Sequence, residues 1–263
     1  MRDKVNIIEE VNRMKNLFTY KAGKVISEQE EYNEVYPMTE TEIDNLNYGN
    51  LDDNNKEKVK NFIKGLQKKC DENNITLLIK NEPGIPYAGN DGIMVNGYFD
   101  DKSRSLACAA GKDVSLWLPT LIHESSHMDQ FLEDAPEWLN NLDMVETDKW
   151  LTGDDSVDMN TVTEEIKTAI EVEVDCEKRT VNKIKQLGLD GIIDAKEYIQ
   201  RANAYLMFYL WMKENRKWYE IGREPYNLPE IFREMPKTFD NDYSELSSEL
   251  RAVLDKLNEV PKE

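Results

Sequence analysis

The chain has 263 residues, of which 40% are hydrophobic and 9% aromatic, enough apolar material for a folded core. Its 33 basic and 52 acidic residues give a formal net charge of −19, which argues against general binding to nucleic acid or to anionic membranes. The charge favours either plain solubility or a basic partner. No apolar run reaches the roughly 18 residues of a membrane span, and the first residues lack the apolar stretch of a secretory signal. We therefore expect a cytoplasmic protein.

The N-terminal part of the chain differs from the rest in composition. Residues 1–55 are polar and acidic, and we interpret them as a partly irregular segment with a short helix near its start. A second helical turn is possible between residues 36 and 55. The remaining residues, 56–263, are predicted to form a single domain.

The first half of that domain predicts one helix and a small sheet. Apolar residues share one face of a helix over 56–70, and residues 75–80 favour a strand. The segment 81–92 is dense in turn residues. Two further strands are predicted over 93–99 and 105–111.

The second half predicts helices. The first runs from about 116 to the acidic loop, which covers 134–160. The others are predicted over 161–188, 194–215 and 242–260. Pro119 suits a first helical turn, and Thr161 with Glu164 forms a capping-box pattern. Gly188 is a typical residue just after a helix end. The fold class expected from this order is α+β and mostly helical.

The motif that carries chemistry is His123-Glu124-Ser125-Ser126-His127, in the first of these helices. Residues four apart lie on one helix face, so both imidazoles can reach the same ion, and zinc accepts imidazole nitrogen well. Glu124 can take a proton from a water on that ion and later give it to a leaving amine. The chain has only two histidines, and both fall in this motif. The sequence therefore predicts one zinc per chain.

A third protein ligand has to be a residue other than histidine. On the helix after residue 161, Glu173 and Glu177 fall on the apolar face, whereas Glu171 and Asp175 fall on the opposite face. A carboxylate that faces a core needs a partner, either a metal ion or a basic side chain. We predict Glu173 as the third ligand. Glu177 is predicted to accept a hydrogen bond from the N–H of a ligand histidine.

These residues resemble a known family. HExxH followed by a glutamate on a later helix is similar to the gluzincin branch of the zinc-dependent metallopeptidases, whose ligand helix often reads E-x-x-small-D/E. The run 173–177 fits with small Cys176 at the fourth place, and the run 171–175 also fits the spacing with bulkier Val174. Residues 118–210 also resemble uncharacterised metallopeptidase-like proteins of large bacteriophages. The resemblance implies a zincin-like fold, with the small sheet packed on the HExxH helix and a helical C-terminal half.

The resemblance also implies a cleft beside the motif. In zincins the strand before the motif helix pairs with an extended peptide, so residues 105–111 either line the cleft or form an ordinary inner strand. The residue that stabilises the oxyanion would be one of Tyr98, Tyr205 and Tyr209, each of which could also be a packing residue. Cys108 either caps the zinc as a thiolate or is a small buried thiol.

The expected function is a zinc-dependent peptidase that hydrolyses peptide bonds with a metal-activated water and Glu124 as general base. Its substrate would be a protein or peptide, and a basic one if the acidic loop at 134–160 borders the cleft. Neither nucleic acid nor a membrane is expected as a partner. The alternative is a zincin-fold acidic binding or virion protein without peptidase activity. A host-cytoplasmic or virion setting is implied only by the likeness to bacteriophage proteins.

Overall fold

A computed structural model describes residues 38–87, 90–220 and 222–258, with the backbone alone at 90–93. The α-helices in these ranges are α1 Glu40–Asp44, α2 Asp53–Glu72, α3 Val114–Leu132, α4 Pro136–Leu139, α5 Val145–Leu151, α6 Met159–Gln186, α7 Ala195–Asn215, α8 Pro229–Phe232 and α9 Ser248–Leu254. The strands are β1 Thr76–Lys80, β2 Ile85–Tyr87, β3 Asn90–Val95, β4 Gly97–Asp100 and β5 Ser105–Ala109. The expected α+β, mostly helical class is confirmed. The short helix expected near the start of the chain lies outside the described residues.

The chain divides into two compact units. We call them the sheet unit, 38–134 with Asn182–Ile193, and the helical unit, Ala135–Val181 with 194–258. The division falls within α6, whose last turn belongs to the sheet unit. The single domain expected after residue 55 stays a prediction.

In the sheet unit, a three-stranded sheet has the order β1-β5-β4. β1 runs parallel to β5, with Thr76 opposite Ser105, and β4 runs antiparallel to β5, with Gly97 opposite Cys108. Both edges of β5 are therefore paired within the protein. The inner-strand interpretation of residues 105–111 is confirmed, and β5 cannot be the strand that pairs with a peptide.

The strand predicted over 93–99 is in fact two strands. It is interrupted at Asn96, whose carbonyl accepts a hydrogen bond from Ala109 N–H at 2.8 Å. β4 then pairs with β5, whereas β3 pairs with β2 in a separate two-stranded sheet. β2 lies in the segment 81–92, for which the sequence indicated turns. A strand forms there because Ile85 pairs with Val95 and is fully buried.

Helix α3 begins earlier than expected. The side chain of Asp113 caps it by accepting a hydrogen bond from Ser115 N–H at 2.9 Å, so the helix starts at Val114. Pro119 was predicted in the first helical turn, but it lies inside the helix. Since proline has no N–H, one backbone hydrogen bond of the helix is lost there.

The capping box predicted at Thr161 is not the start of α6. The helix begins at Met159, where the Asp158 side chain accepts from Asn160 N–H at 3.0 Å. The helix end is as predicted: Gly188, with φ of 65°, follows its last turn. A glycine tolerates this left-handed conformation without the strain that a Cβ would cause.

Other segments expected as loops in the helical unit also contain short helices. α4 and α5 lie in the acidic stretch 134–160. The N-terminus of α5 is held by Glu165, whose buried carboxylate accepts from Glu146 N–H and Thr147 N–H at 3.1 and 2.8 Å. Such a cap comes from a residue distant in sequence, so local pattern does not reveal it. The last helix starts at Ser248, later than the predicted 242.

The core of the helical unit lies along α7. Its largest fully buried side chains are Phe208, Tyr209, Trp211 and Phe232. No helix in the described ranges combines the length and the apolar character needed to cross a membrane.

Candidate metal centre

Helix α3 presents both histidines on one face, as their spacing predicts. The ring centroids of His123 and His127 are 4.7 Å apart, with the ring planes at 87°. Both rings are half-buried, while the intervening Ser125 and Ser126 are fully buried. The two imidazoles therefore lie at the border between the interior and the solvent, where an ion and a water molecule can both reach them.

His127 has a hydrogen-bonding partner that the sequence analysis missed. Its Nδ1 lies 2.8 Å from Oε1 of Gln130, a side chain with no solvent exposure. A glutamine three residues after a histidine is a neighbour on a helix, so this contact follows from local geometry once the helix is known.

Glu124 lies against the edge of the sheet. Its Oε2 accepts a hydrogen bond from the backbone N–H of Phe99, in β4, at 3.0 Å. β4 approaches α3 closely at Gly97, where a Cβ would lie 2.7 Å from Thr120 Cγ2 and 3.2 Å from Glu124 Cγ. A glycine at this position is therefore what allows the strand to reach the carboxylate.

An ion-pair cluster behind the motif was not predicted either. Asp129, also on α3, is largely buried and lies 2.7 Å from Lys69 Nζ and 2.8 Å from Lys183 Nζ. Lys183 also donates to Ser125 Oγ at 2.8 Å. Within the sheet unit, these bonds tie α3 to α2 and to the last turn of α6.

Helix α6 buries the carboxylates that the periodicity placed on its apolar face. Glu173 and Glu177 are each 5% exposed, and Cys176 between them is fully buried. Glu171 is exposed, and Asp175 is half-buried with Arg179 Nε at 2.6 Å. The predicted difference between the two faces is confirmed.

Tyrosines of α7 surround these carboxylates in the helical unit. Tyr198 donates a short hydrogen bond from its hydroxyl to Glu177. The hydroxyls of Tyr205 and Tyr209 lie 2.7 Å apart. Burial, with the Glu173 charge contributing, raises the pKa of both these hydroxyls well above the ordinary tyrosine value. All three tyrosines therefore stay protonated and can act as donors.

The remaining sequence candidates lie in the sheet unit. Tyr98 is 7% exposed and packs against Tyr87, with ring centroids 5.0 Å apart. Cys108 is fully buried and its Sγ lies 3.5 Å from the carbonyl of Trp117. Burial, with the charge of Glu124 contributing, raises the pKa of this thiol. These contacts favour the packing interpretation of both residues.

The donors on the two helices suit zinc chemically. Among the described side chains, α3 in the sheet unit offers the imidazoles of His123 and His127, and α6 in the helical unit offers the carboxylates of Glu173 and Glu177 and the thiol of Cys176. Two imidazoles with one carboxylate form a donor set that catalytic zinc accepts. The chain matches no protein-family model, no curated protein and no solved structure. The functional interpretation therefore depends on the geometry and chemistry of these residues.

Proposed function

We propose that the protein is a zinc-dependent peptidase of zincin-like fold, in which His123, His127 and Glu173 bind one zinc ion and Glu124 acts as general base. The observation that carries the proposal is the arrangement on α3. Two imidazoles share one helix face, and the glutamate beside them is hydrogen-bonded to a strand edge. Two isolated surface histidines would need no such neighbour.

The burial on α6 favours Glu173 over Glu171 as the carboxylate ligand. Glu171 is exposed to solvent, where water competes for the metal and the side chain moves freely. Glu173 is 5% exposed, so its orientation is restricted by packing. A metal ion is also a partner that offsets the cost of burying a carboxylate. Glu177 keeps its proposed role behind a ligand histidine, with the Tyr198 hydroxyl restricting its carboxylate.

Bound zinc would polarise the scissile carbonyl and lower the pKa of a water molecule. Glu124 would take one proton from the attacking water as the water oxygen bonds to the carbonyl carbon, and would then give that proton to the amine nitrogen as the C–N bond breaks. The Phe99 amide holds one oxygen of the Glu124 carboxylate before substrate arrives. Such preorganisation lowers the reorganisation needed during reaction.

The substrate we propose is an extended, basic peptide. β4 is an edge strand of the sheet and carries the amide that holds Glu124. An extended peptide can add to such an edge through main-chain hydrogen bonds. The net charge of −19 favours basic sequences, since the field of the protein attracts them at low salt.

The test of the proposal starts with metal content. We expect about one zinc per chain in the purified protein by plasma mass spectrometry, and its loss in His127→Ala, because two histidines are needed on one face. The zinc-loaded protein should cleave members of a basic peptide library. A chelator should abolish cleavage, and added zinc should restore it. A wild-type protein that takes up no zinc, even after zinc addition, would refute the proposal.

The high negative charge favours the second candidate function, an acidic binding or virion protein that keeps the zincin fold. The presence of Glu124 beside the histidines argues against it, since a binding protein has no need of a general base. The two functions differ in one measurement. Stoichiometric zinc with no cleavage of any library peptide would favour the binding protein.

A further inference from the structure

A neutral imidazole carries one protonated and one unprotonated ring nitrogen. If His127 binds a metal through Nε2, the proton must be on Nδ1, and the group that accepts from Nδ1 decides which tautomer is present. In this structure that group is Oε1 of Gln130, 2.8 Å from Nδ1. An amide oxygen accepts only, so this contact favours the Nδ1–H tautomer and leaves the Nε2 lone pair for an ion.

The surroundings of Gln130 hold its side chain in place. Gln130 has no solvent exposure, and the next residue towards the N-terminus, Asp129, is bonded to two lysines. Ser126, one turn earlier, bonds back to the carbonyl of Ile122 at 2.9 Å. Because the Gln130 side chain has no solvent exposure and the adjacent Asp129 is held by two ion pairs, packing keeps the amide beside His127. A surface glutamine would not impose a tautomer in this way.

We infer that Gln130 is a positioning residue, which selects the tautomer of His127 that binds metal and holds the ring in that orientation. The inference deepens the proposed function and depends on it for its purpose, but the tautomer itself exists without metal. Gln130 touches no reacting atom, so its effect acts through His127.

The decisive experiment reads the tautomer in metal-free protein. Because the chain has only two histidines, ¹⁵N-histidine labelling gives two imidazole ring systems in a long-range ¹H–¹⁵N spectrum. The spectrum is recorded at about pH 8, well above the ordinary imidazole pKa of about 6.5. We expect His127 as the Nδ1–H tautomer in the wild type and in Gln130→Glu, which keeps an acceptor oxygen. Gln130→Leu should shift His127 towards the Nε2–H form.

Zinc affinity gives a second readout. Removing the partner of a ligand histidine weakens metal binding about 10- to 100-fold. We expect this loss in Gln130→Leu by chelator competition, with most of the affinity recovered in Gln130→Glu. If the leucine variant does not fold, Gln130→Met repeats the measurement with a flexible side chain of similar length.

The matched control is Gln200→Leu in the helical unit. Gln200 is 6% exposed and donates to the carbonyls of Arg233 and Met235 at 2.7 and 2.9 Å, so its loss removes a buried glutamine without touching a histidine. It should lower stability and leave the His127 tautomer unchanged. An equal loss of zinc affinity in both leucine variants would overturn the inference.

The failures of the two proposals are distinguishable. An Nε2–H tautomer in metal-free wild type, or a tautomer that does not respond to Gln130→Leu, overturns the role of Gln130 whether or not zinc binds. A wild type without zinc but with a Gln130-dependent Nδ1–H tautomer overturns the peptidase proposal and supports the role of Gln130.

Discussion

The two helices that carry the candidate ligands hold their polar groups in different ways. On α3 the imidazoles of His123 and His127 are half-buried; His127 lies against the Gln130 amide, and the neighbouring Glu124 is held by the Phe99 backbone amide. On α6 the carboxylates of Glu173 and Glu177 are 5% exposed and surrounded by α7 tyrosines. The first helix keeps its imidazoles close to solvent, and the second encloses its carboxylates.

This difference follows from charge. A neutral imidazole needs only one neutral hydrogen-bonding partner to hold its tautomer, so it can stay close to solvent where substrate arrives. A buried carboxylate needs donors on its remaining lone pairs, and tyrosine hydroxyls with raised pKa values supply protons that are not lost at neutral pH. In the proposed function, α3 supplies proton transfer and α6 supplies charge compensation, and the following substitutions test that division.

The largest effect is expected from Glu124→Gln on α3. The amide keeps the shape of the side chain but cannot take a proton, so peptide cleavage should fall about 10²- to 10⁴-fold. Zinc content should be unchanged, because Glu124 is not a proposed ligand. Steady-state cleavage and metal analysis of the same preparation check both points. Wild-type cleavage by the variant would remove Glu124 from the mechanism.

The next largest effect concerns the carboxylates of α6. Glu173→Gln should weaken zinc binding by more than about 100-fold, a larger loss than that from removing an outer partner. The matched control is Glu171→Gln, on the exposed face of the same helix, which should bind zinc as the wild type does. Chelator competition measures both. If Glu171→Gln weakened zinc binding more than Glu173→Gln did, the run 171–175 and not the run 173–177 would supply the ligand.

A second pair of substitutions compares buried acids of the two units. Glu165→Gln should lower the free energy of unfolding by about 2–3 kcal/mol, because three donors of α5 lose an ionised acceptor. Asp129→Asn should cost about 1–3 kcal/mol, because it loses one largely screened ion pair, with Lys69 at 42% exposure, and one less screened pair, with Lys183 at 20% exposure.

Urea unfolding at low and high salt separates these two cases. The cost of Asp129→Asn should shrink with added salt, whereas the cost of Glu165→Gln should not, because its donors are backbone and hydroxyl groups. Equal salt dependence would contradict the assignment of Asp129 to an ion-pair cluster.

Gly97→Ala tests the spacing between β4 and α3, and should destabilise the protein by about 1–3 kcal/mol, because Thr120 must shift to relieve the 2.7 Å approach. Cleavage should fall as well, since the same Cβ displaces Glu124. Gly65→Ala is the control, because Gly65 is an exposed position of α2 and an added Cβ would meet nothing within 4 Å. It should raise stability by about 0.5–1 kcal/mol without affecting cleavage. A Gly97→Ala protein with normal cleavage would mean that the strand–helix spacing is not important for Glu124.

Sequence reasoning succeeded where the structure depends on local helix geometry. The i,i+4 spacing put His123 and His127 on one face, and the period of α6 correctly separated buried Glu173 from exposed Glu171. It failed at helix starts, where one aspartate side chain moved the boundary by two residues, as at Asp113. It also failed to separate β3 from β4, because both halves of the stretch carry similar apolar residues.

The contacts that build the candidate site across the sheet unit belong to tertiary structure alone. The bond from Phe99 to Glu124 joins residues 25 apart, and the pairs of Asp129 join residues 60 and 54 apart. No local pattern encodes such partners, because they depend on how β4, α2 and the last turn of α6 pack around α3. The sequence by itself determined which side chains share a helix face, since that follows from 3.6 residues per turn. Packing decided which strand forms the edge beside Glu124 and which groups hold the motif in position.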